Sequence, residues 1–255
     1  MQRYPFLDHP GPIPFAHRGG AAIGLENSMA AFRRAVKLGY RYLETDVHGT
    51  ADGVLLAFHD RRLGRVTDQR GRIARLPYVT VRRALIAGQE PIPLLTDLLE
   101  EFPDARINID VKEVSAIRPL IEVIRRTRSI DRVCVASFSD RRLAAVRAAL
   151  GPRLCTAVGP IEALGLRTAT LFERLRRLAP AGIPCVQLPA RIGPLPVVDE
   201  RLVGLAHELG MHVHVWTIDD PATMHHLLNL GVDGIMTDQL EVLRDVLVSR
   251  NLWLP

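Results

Sequence analysis

Residues 41–47 read RYLETDV. In a strand, side chains i and i+2 share a face, so Glu44 and Asp46 project together while Leu43, Thr45 and Val47 take the other side. A second run of this kind, RINIDVK at 106–112, sets Asn108, Asp110 and Lys112 on one face. Working outward, short runs of strand character recur at 13–17, 132–136, 153–157, 184–188, 212–217 and 233–237. Longer periodic runs of helical character lie near 27–38, 94–101, 115–127, 139–149, 162–178, 199–209, 221–230 and 239–249. Thr96 or Asp97, Ser139–Asp140 and Asp219–Asp220 with Pro221 mark helix starts, and Gly39, Gly151, Gly210 and Gly231 fall just past helix ends. Eight strand-then-helix units in 255 residues is the arithmetic of an α/β fold of the (β/α)8 TIM-barrel type. A doubly wound open sheet is the competing architecture. No GxGxxG follows a strand, however, and eight units exceed what such a sheet needs. Residues 53–93 break the pattern with a short apolar run, His59–Asp60 and an arginine- and turn-rich segment. They read as a small insertion between strand 2 and helix 2 of one domain spanning 1–255.

Composition narrows the function. The chain is 47% hydrophobic and 24% charged, without low-complexity tracts, which excludes disordered and fibrous classes. Net charge is +5, but the short arginine clusters carry no interleaved aromatics, so no nucleic-acid partner is expected. Cys134, Cys155 and Cys185 are odd in number and widely spaced within apolar runs. That argues against a disulfide framework or a thiolate metal site, and for reduced thiols in a cytoplasmic protein. The first residues lack the apolar stretch of a signal peptide, and no apolar run is long enough to span a bilayer, so no stable membrane insertion is expected. Oligomeric state is not legible.

If the strands close into a barrel, the polar residues at their C-terminal ends form one site. Glu44, Asp46 and Asp110 would then converge with Lys112 and two histidines. Like charges this close need a positive neutraliser. Oxygen-only ligation suits one hard divalent cation, Mg²⁺ or Ca²⁺, better than Zn²⁺. His17 and His59 are the candidate proton carriers, since imidazole titrates near working pH. Arg18 offers a fork of donors for phosphate oxygens, and Gly19 and Gly20 allow close backbone approach. His214 shares a face with His212 and Trp216 and points into the barrel.

Several segments together, in this order, resemble the glycerophosphodiester phosphodiesterase family: AHRGG, LENSMAAF, LETDV, FHDRRLGRVTD, IPLLTDLLE, NIDVK, VWTI and GVDGIMTD. The resemblance covers nearly the whole chain. It implies a (β/α)8 barrel and metal-dependent hydrolysis of small glycerophosphodiesters to sn-glycerol 3-phosphate and an alcohol. It implies His17 and His59 as the acid–base pair, and Glu44, Asp46 and the position of Asp110 as metal ligands. Arg18 and Lys112 would hold the phosphate, and Trp216 would line the pocket for the alcohol or glycerol end. Two positions depart from the family's pattern. Asp110 stands where a glutamate is more usual, one methylene shorter. The usual Pro-Glu-Asn-Thr reads Leu25-Glu26-Asn27-Ser28, with Glu26 expected to brace Arg18 or His17 and Asn27 to cap the first helix. The alternatives are a phospholipase D-like lyase forming a cyclic phosphate and a non-catalytic barrel that binds phosphorylated ligands.

Overall fold

All eight expected strands form: β1 (Ile13–Ala16), β2 (Tyr42–Gly49), β3 (Arg106–Val111), β4 (Val133–Ala136), β5 (Cys155–Thr156), β6 (Cys185–Pro189), β7 (His212–Trp216) and β8 (Gly234–Thr237). The structure is a computed structural model and describes residues 4–171 and 173–254. Residues 1–3, 172 and 255 of the expected domain lie outside the described residues. The strands are parallel neighbours in the order β5-β4-β3-β2-β1-β8-β7-β6. One bridge, Ala157 to Cys185, brings the two remaining edges together, and the Val158 N–H donates to the Cys185 carbonyl at 3.0 Å. The result is a nearly closed (β/α)8 barrel.

Around it run α1 (Met29–Lys37), α2 (Leu95–Glu101), α3 (Ile117–Thr127), α4 (Asp140–Leu150), α5 (Pro160–Leu171), α6 (Glu200–Glu208), α7 (Pro221–Asn229) and α8 (Leu240–Ser249). Ser139 and Asp220 cap α4 and α7 as expected, each accepting a backbone N–H from the third residue on. Neither Thr96 nor Asp97 caps α2. Leu94 stands at its N-cap without a side-chain bond, and Asp97 sits in the first turn, where the helix dipole favours an acid. The run at 162–178 is not one helix either: α5 ends at Leu171 and a 3₁₀ turn covers Glu173–Leu178.

The period-two reading of β2 holds in three dimensions. Leu43 and Val47 pack outward into the layer between strands and helices with Ile107, Ile109 and Val111. Tyr42 faces inward with Phe6, Phe15, Met236 and the three cysteines. The Pro5–Leu7 turn plugs the N-terminal end of the barrel, and Tyr42 Oη donates to the Phe6 carbonyl at 2.9 Å. The site residues are thereby left at the C-terminal end. The insertion begins with a short strand, Leu55–Ala57, antiparallel to the end of β2. It buries its own apolar cluster of Leu56, Phe58, Leu63, Ile73, Val81, Ala84, Ile86 and Ile92.

Gly20 follows the first turn after β1 at φ 91°, and a Cβ there would meet Leu240 Cγ at 2.7 Å. A Cβ on Gly19 would come within 3.0 Å of Ala31 and Phe32. The glycine pair therefore seats the turn against α1 and α8; its close approach is to helices. Gly20→Ala is expected to cost roughly 1–3 kcal/mol through overpacking and the left-handed backbone. The check is the midpoint of urea unfolding.

Candidate active site

β1 ends at Ala16, one residue earlier than expected, and His17 opens a tight turn in which Arg18 takes the left-handed conformation (φ 50°, ψ 29°). That turn points the His17 ring into the mouth of the barrel. Its Nδ1–H donates to Asp238 Oδ1 at 2.8 Å, and Nε2 lies 3.8 Å from Glu44 Oε2. Burial disfavours its charged form, but the Asp238 bond and the Glu44 charge outweigh that and raise its pKa above the usual histidine value. The Arg18 N–H donates to Glu44 Oε2 at 3.1 Å, so the same carboxylate anchors the turn.

β2 and β3 pair Asp46 directly with Asp110, and Glu44 with Asn108. Lys112 bridges the two aspartates, with Nζ 2.8 Å from Asp46 Oδ1 and 2.7 Å from Asp110 Oδ2. Arg18 Nε approaches Asp46 Oδ2 at 3.3 Å, and Asn27 Nδ2 donates to the same oxygen at 3.1 Å. Burial pushes Asp46 up, yet Lys112 and Arg18 hold its carboxyl below the usual carboxylate range. Glu44 has no such cation at bonding distance; burial and the Asp46 charge push it up to about 7. Burial also raises Asp110. Glu44, Asp46 and Asp110 do not form a set whose oxygens all lie within 4.8 Å of one another. The shorter Asp110 instead reaches Lys112 with one oxygen, and its buried Oδ1 has no hydrogen-bond partner.

His59 enters from the insertion. The Phe58 N–H donates to the Asp46 carbonyl at 2.8 Å, which ties the segment to β2. His59 Nδ1–H donates to Asp60 Oδ1 at 2.6 Å, and Arg65 Nε donates to Asp60 Oδ2 at 2.6 Å. Arg65 also grips Glu26, which accepts from Arg18 Nη1 at 3.2 Å. Glu26 thus braces Arg18 and joins it to the arm carrying His59.

Asn27 does not cap α1. Ser28 does, its Oγ accepting the Ala31 N–H at 3.1 Å. Asn27 is fully buried at φ 55°, with its N–H on the Arg18 carbonyl and its Oδ1 accepting from Thr45 Oγ1 at 2.7 Å. Its amide is therefore spent on orienting Asp46. Two other residues escaped the sequence reading. Asp238 orients His17, and the buried His48 donates Nε2–H to the His59 carbonyl at 2.9 Å. Asp238 stands one residue past β8, the usual place for a barrel's working side chain; His48 serves a backbone atom and leaves no motif.

His17, Arg18, Glu44, Asp46, His59, Asp110, Lys112 and Trp216 all line one cavity of about 560 Å³. Its floor is closed by an amide pair, Gln187 Nε2 donating to Asn108 Oδ1 at 2.8 Å. His214 lies beneath, buried against Phe15, with Nδ1 3.4 Å from Gln187 Nε2. The charged groups come from β1 to β3 and the insertion. The opposite wall, from the β4 to β7 side, is apolar: Phe138, Val158, Leu188, Ile192 and Trp216.

Residues 17–242 match the model of the glycerophosphoryl diester phosphodiesterase family. The chain belongs to that family. It is 44% identical over 255 residues to "Probable glycerophosphodiester phosphodiesterase 2" of Mycobacterium tuberculosis, covering 97% of this chain and 95% of that one. It is 30% identical over 246 residues to a glycerophosphodiester phosphodiesterase of Caldanaerobacter subterraneus subsp. tengcongensis, covering 91% and 96%. The fold matches a phosphodiesterase of Oleispira antarctica, solved in complex with the product sn-glycerol-3-phosphate, with a TM-score of 0.79 at 24% identity over 93% of this chain and 97% of that one. The phosphodiesterase is accordingly a phosphoric diester hydrolase. No helix among its described residues is long and apolar enough to cross a membrane.

The Asp238 contact yields a pH test on the metal-free phosphodiesterase. A histidine with a raised folded-state pKa contributes stability that is full below its unfolded value and fades as pH rises through the folded one. Asp238→Asn is therefore expected to lower Tm at acid pH and to leave it nearly unchanged at alkaline pH. A Tm series across pH with chelator present checks this.

Proposed function

We propose that the protein hydrolyses glycerophosphodiesters to sn-glycerol 3-phosphate and an alcohol, with His17 and His59 as the acid–base pair and one divalent cation, Mg²⁺ or Ca²⁺, held by Glu44, Asp46 and Asp110. The observation that carries this reading is that both imidazoles, each fixed through Nδ1 by its own aspartate, open onto one cavity walled by three buried acids and two cations. The donor type suits a hard cation: all oxygens, with Asp110 Oδ1 buried and unpartnered and Glu44 without a cation at bonding distance; to share one ion the three carboxylates would draw closer than they stand here, displacing Lys112 from between the aspartates. A bound divalent ion would supply Lewis-acid withdrawal of charge from the non-bridging phosphate oxygens.

The rest falls to side chains. Arg18, braced by Glu26, and Lys112 hold the phosphoryl oxygens and stabilise the charge that grows on them. Each histidine keeps Nε2 for the substrate, because Nδ1 is committed. One takes a proton from the attacking hydroxyl, of water or of the neighbouring glycerol carbon, and the other returns a proton to the departing alkoxide. Asn27 and His48 position Asp46 and the His59 backbone. The chain acts as one domain over 1–255, in the cytoplasm, where its thiols stay reduced.

A second reading of the substrate rests on the divided cavity. Polar groups suffice for a phosphate and glycerol, yet the β4 to β7 side carries Phe138, Ile161, Leu164, Ile192 and Leu195, each more than half exposed. An apolar wall beside a phosphate site, with further exposed apolar residues on the same side of the barrel, suits a diester whose second arm is a long apolar chain.

Product analysis tests both readings. Glycerophosphocholine, glycerophosphoethanolamine and glycerophosphoinositol are incubated with Mg²⁺, Ca²⁺ or chelator, beside a monoacyl phospholipid. The expected result is sn-glycerol 3-phosphate and free alcohol with a cation and loss of turnover with chelator. Full turnover in chelator would remove the cation from the scheme. A cyclic phosphate as the final product would make the protein a lyase. Preference for the monoacyl substrate, lost in Ile192→Glu, is the result expected of the apolar wall.

A further inference from the structure

At the other end of the barrel, three thiols meet. The Sγ atoms of Cys134, Cys155 and Cys185 are buried and all lie within 4.8 Å of one another. Cys134 and Cys185 are 3.8 Å apart. Two sulfurs on a tetrahedral zinc, with bonds of about 2.3 Å, stand about 3.8 Å from each other. A candidate fourth donor stands on the neighbouring strand, outside the group whose donor atoms all lie within 4.8 Å of one another. His212 pairs in register with Cys185 on the neighbouring strand, and its Nδ1 is buried without a hydrogen-bond partner. His212 also lines a cavity of about 510 Å³ on the plugged face, bounded by Tyr4, Leu7, His9, Ile183 and Pro184, which gives an ion a way in.

We propose that Cys134, Cys155, Cys185 and His212 form a binding site for one thiophilic divalent cation of the zinc type, separate from the catalytic mouth. Three thiolates and a neutral imidazole leave one net negative charge around a divalent ion and two around Cu⁺. Burial makes the smaller residue the less costly. Each thiol gives up its S–H proton as its bond to the metal forms, so three protons pass to solvent; Cys185 releases its contact to the Thr156 carbonyl, at 3.7 Å, in doing so. Because metal uptake releases these protons, it strengthens as pH rises. The site has a structural purpose. Its donors come from β4, β5, β6 and β7, and a metal there clips β5 to β6, which the single Ala157–Cys185 bridge joins among the described residues.

The test titrates the reduced full-length chain with Cd²⁺ as a stand-in for Zn²⁺. The expected result is an ultraviolet thiolate-to-cadmium charge-transfer band that saturates at one equivalent, with native circular dichroism retained. Carboxylates give no such band, so a cation at the catalytic mouth does not contribute. Zn²⁺ is expected to compete the band away and to raise Tm. Cys155→Ala is expected to abolish the band, and His212→Ala to keep it with weaker binding. No band in the parent chain at saturating cadmium, a band that appears only as native circular dichroism is lost, or a band unchanged in Cys155→Ala would each overturn the site. The first two need no variant to fold.

Discussion

The His17→Ala variant is expected to lower turnover of glycerophosphodiesters by about 10²–10⁴-fold, the usual worth of a residue that moves a proton in the transition state. The fold is expected to survive. His17 lies on a turn at the barrel mouth, and its lost partner, Asp238, is about one-quarter exposed and can be hydrated. The loss therefore falls on kcat, with little change in Tm at alkaline pH and a lower Tm at acid pH, where the Asp238 contact to His17 contributes. His59→Ala is expected to fall in the same range, and the residual activity of the double variant to lie above the product of the two, as the proposed acid–base pair requires. Near-normal turnover of His17→Ala would refute the acid–base assignment outright.

Asp46→Ala is expected to damage both chemistry and fold. Asp46 is 2% exposed and accepts from Lys112 and Asn27 while facing Arg18. Removing it strips buried cations of a shared anion, a change that typically costs about 3–5 kcal/mol. For a chain of this size that is roughly 10 °C in Tm. Asp110→Asn makes the useful contrast. Its carboxylate holds only Lys112 and leaves one oxygen unpartnered, so burial already opposes its charge. It is expected to cost less stability than Asp46→Ala and still to abolish cation-dependent turnover. Calorimetry and product assays on the two variants separate a structural acid from a functional one.

The barrel was legible because its signal is periodic and local. Glu44 and Asp46 could be placed on one face from two-residue spacing, and Asp110 followed from the same rule on the next strand. What sequence could not order was the segment between β1 and α1. Asn27 and Ser28 are both good capping residues, and only the left-handed turn at Asn27, tied to the Arg18 carbonyl, decides that Ser28 takes the cap. The Asp238 contact to His17 spans 221 residues and depends on β1 and β8 being neighbours, which a linear reading cannot weigh. The apolar wall was invisible for the same reason: Phe138, Leu188 and Trp216 belong to separate strand ends that meet only when the barrel closes.

His59 rides on an insertion with a greasy nucleus of its own, joined to the barrel through the short antiparallel pairing with β2 and a handful of polar ties. Descendants of this gene can thus reshape the arm that carries His59 while the cylinder beneath keeps its packing. New appetites for different diesters become reachable by drift in one detachable patch of chain, at little risk to the scaffold.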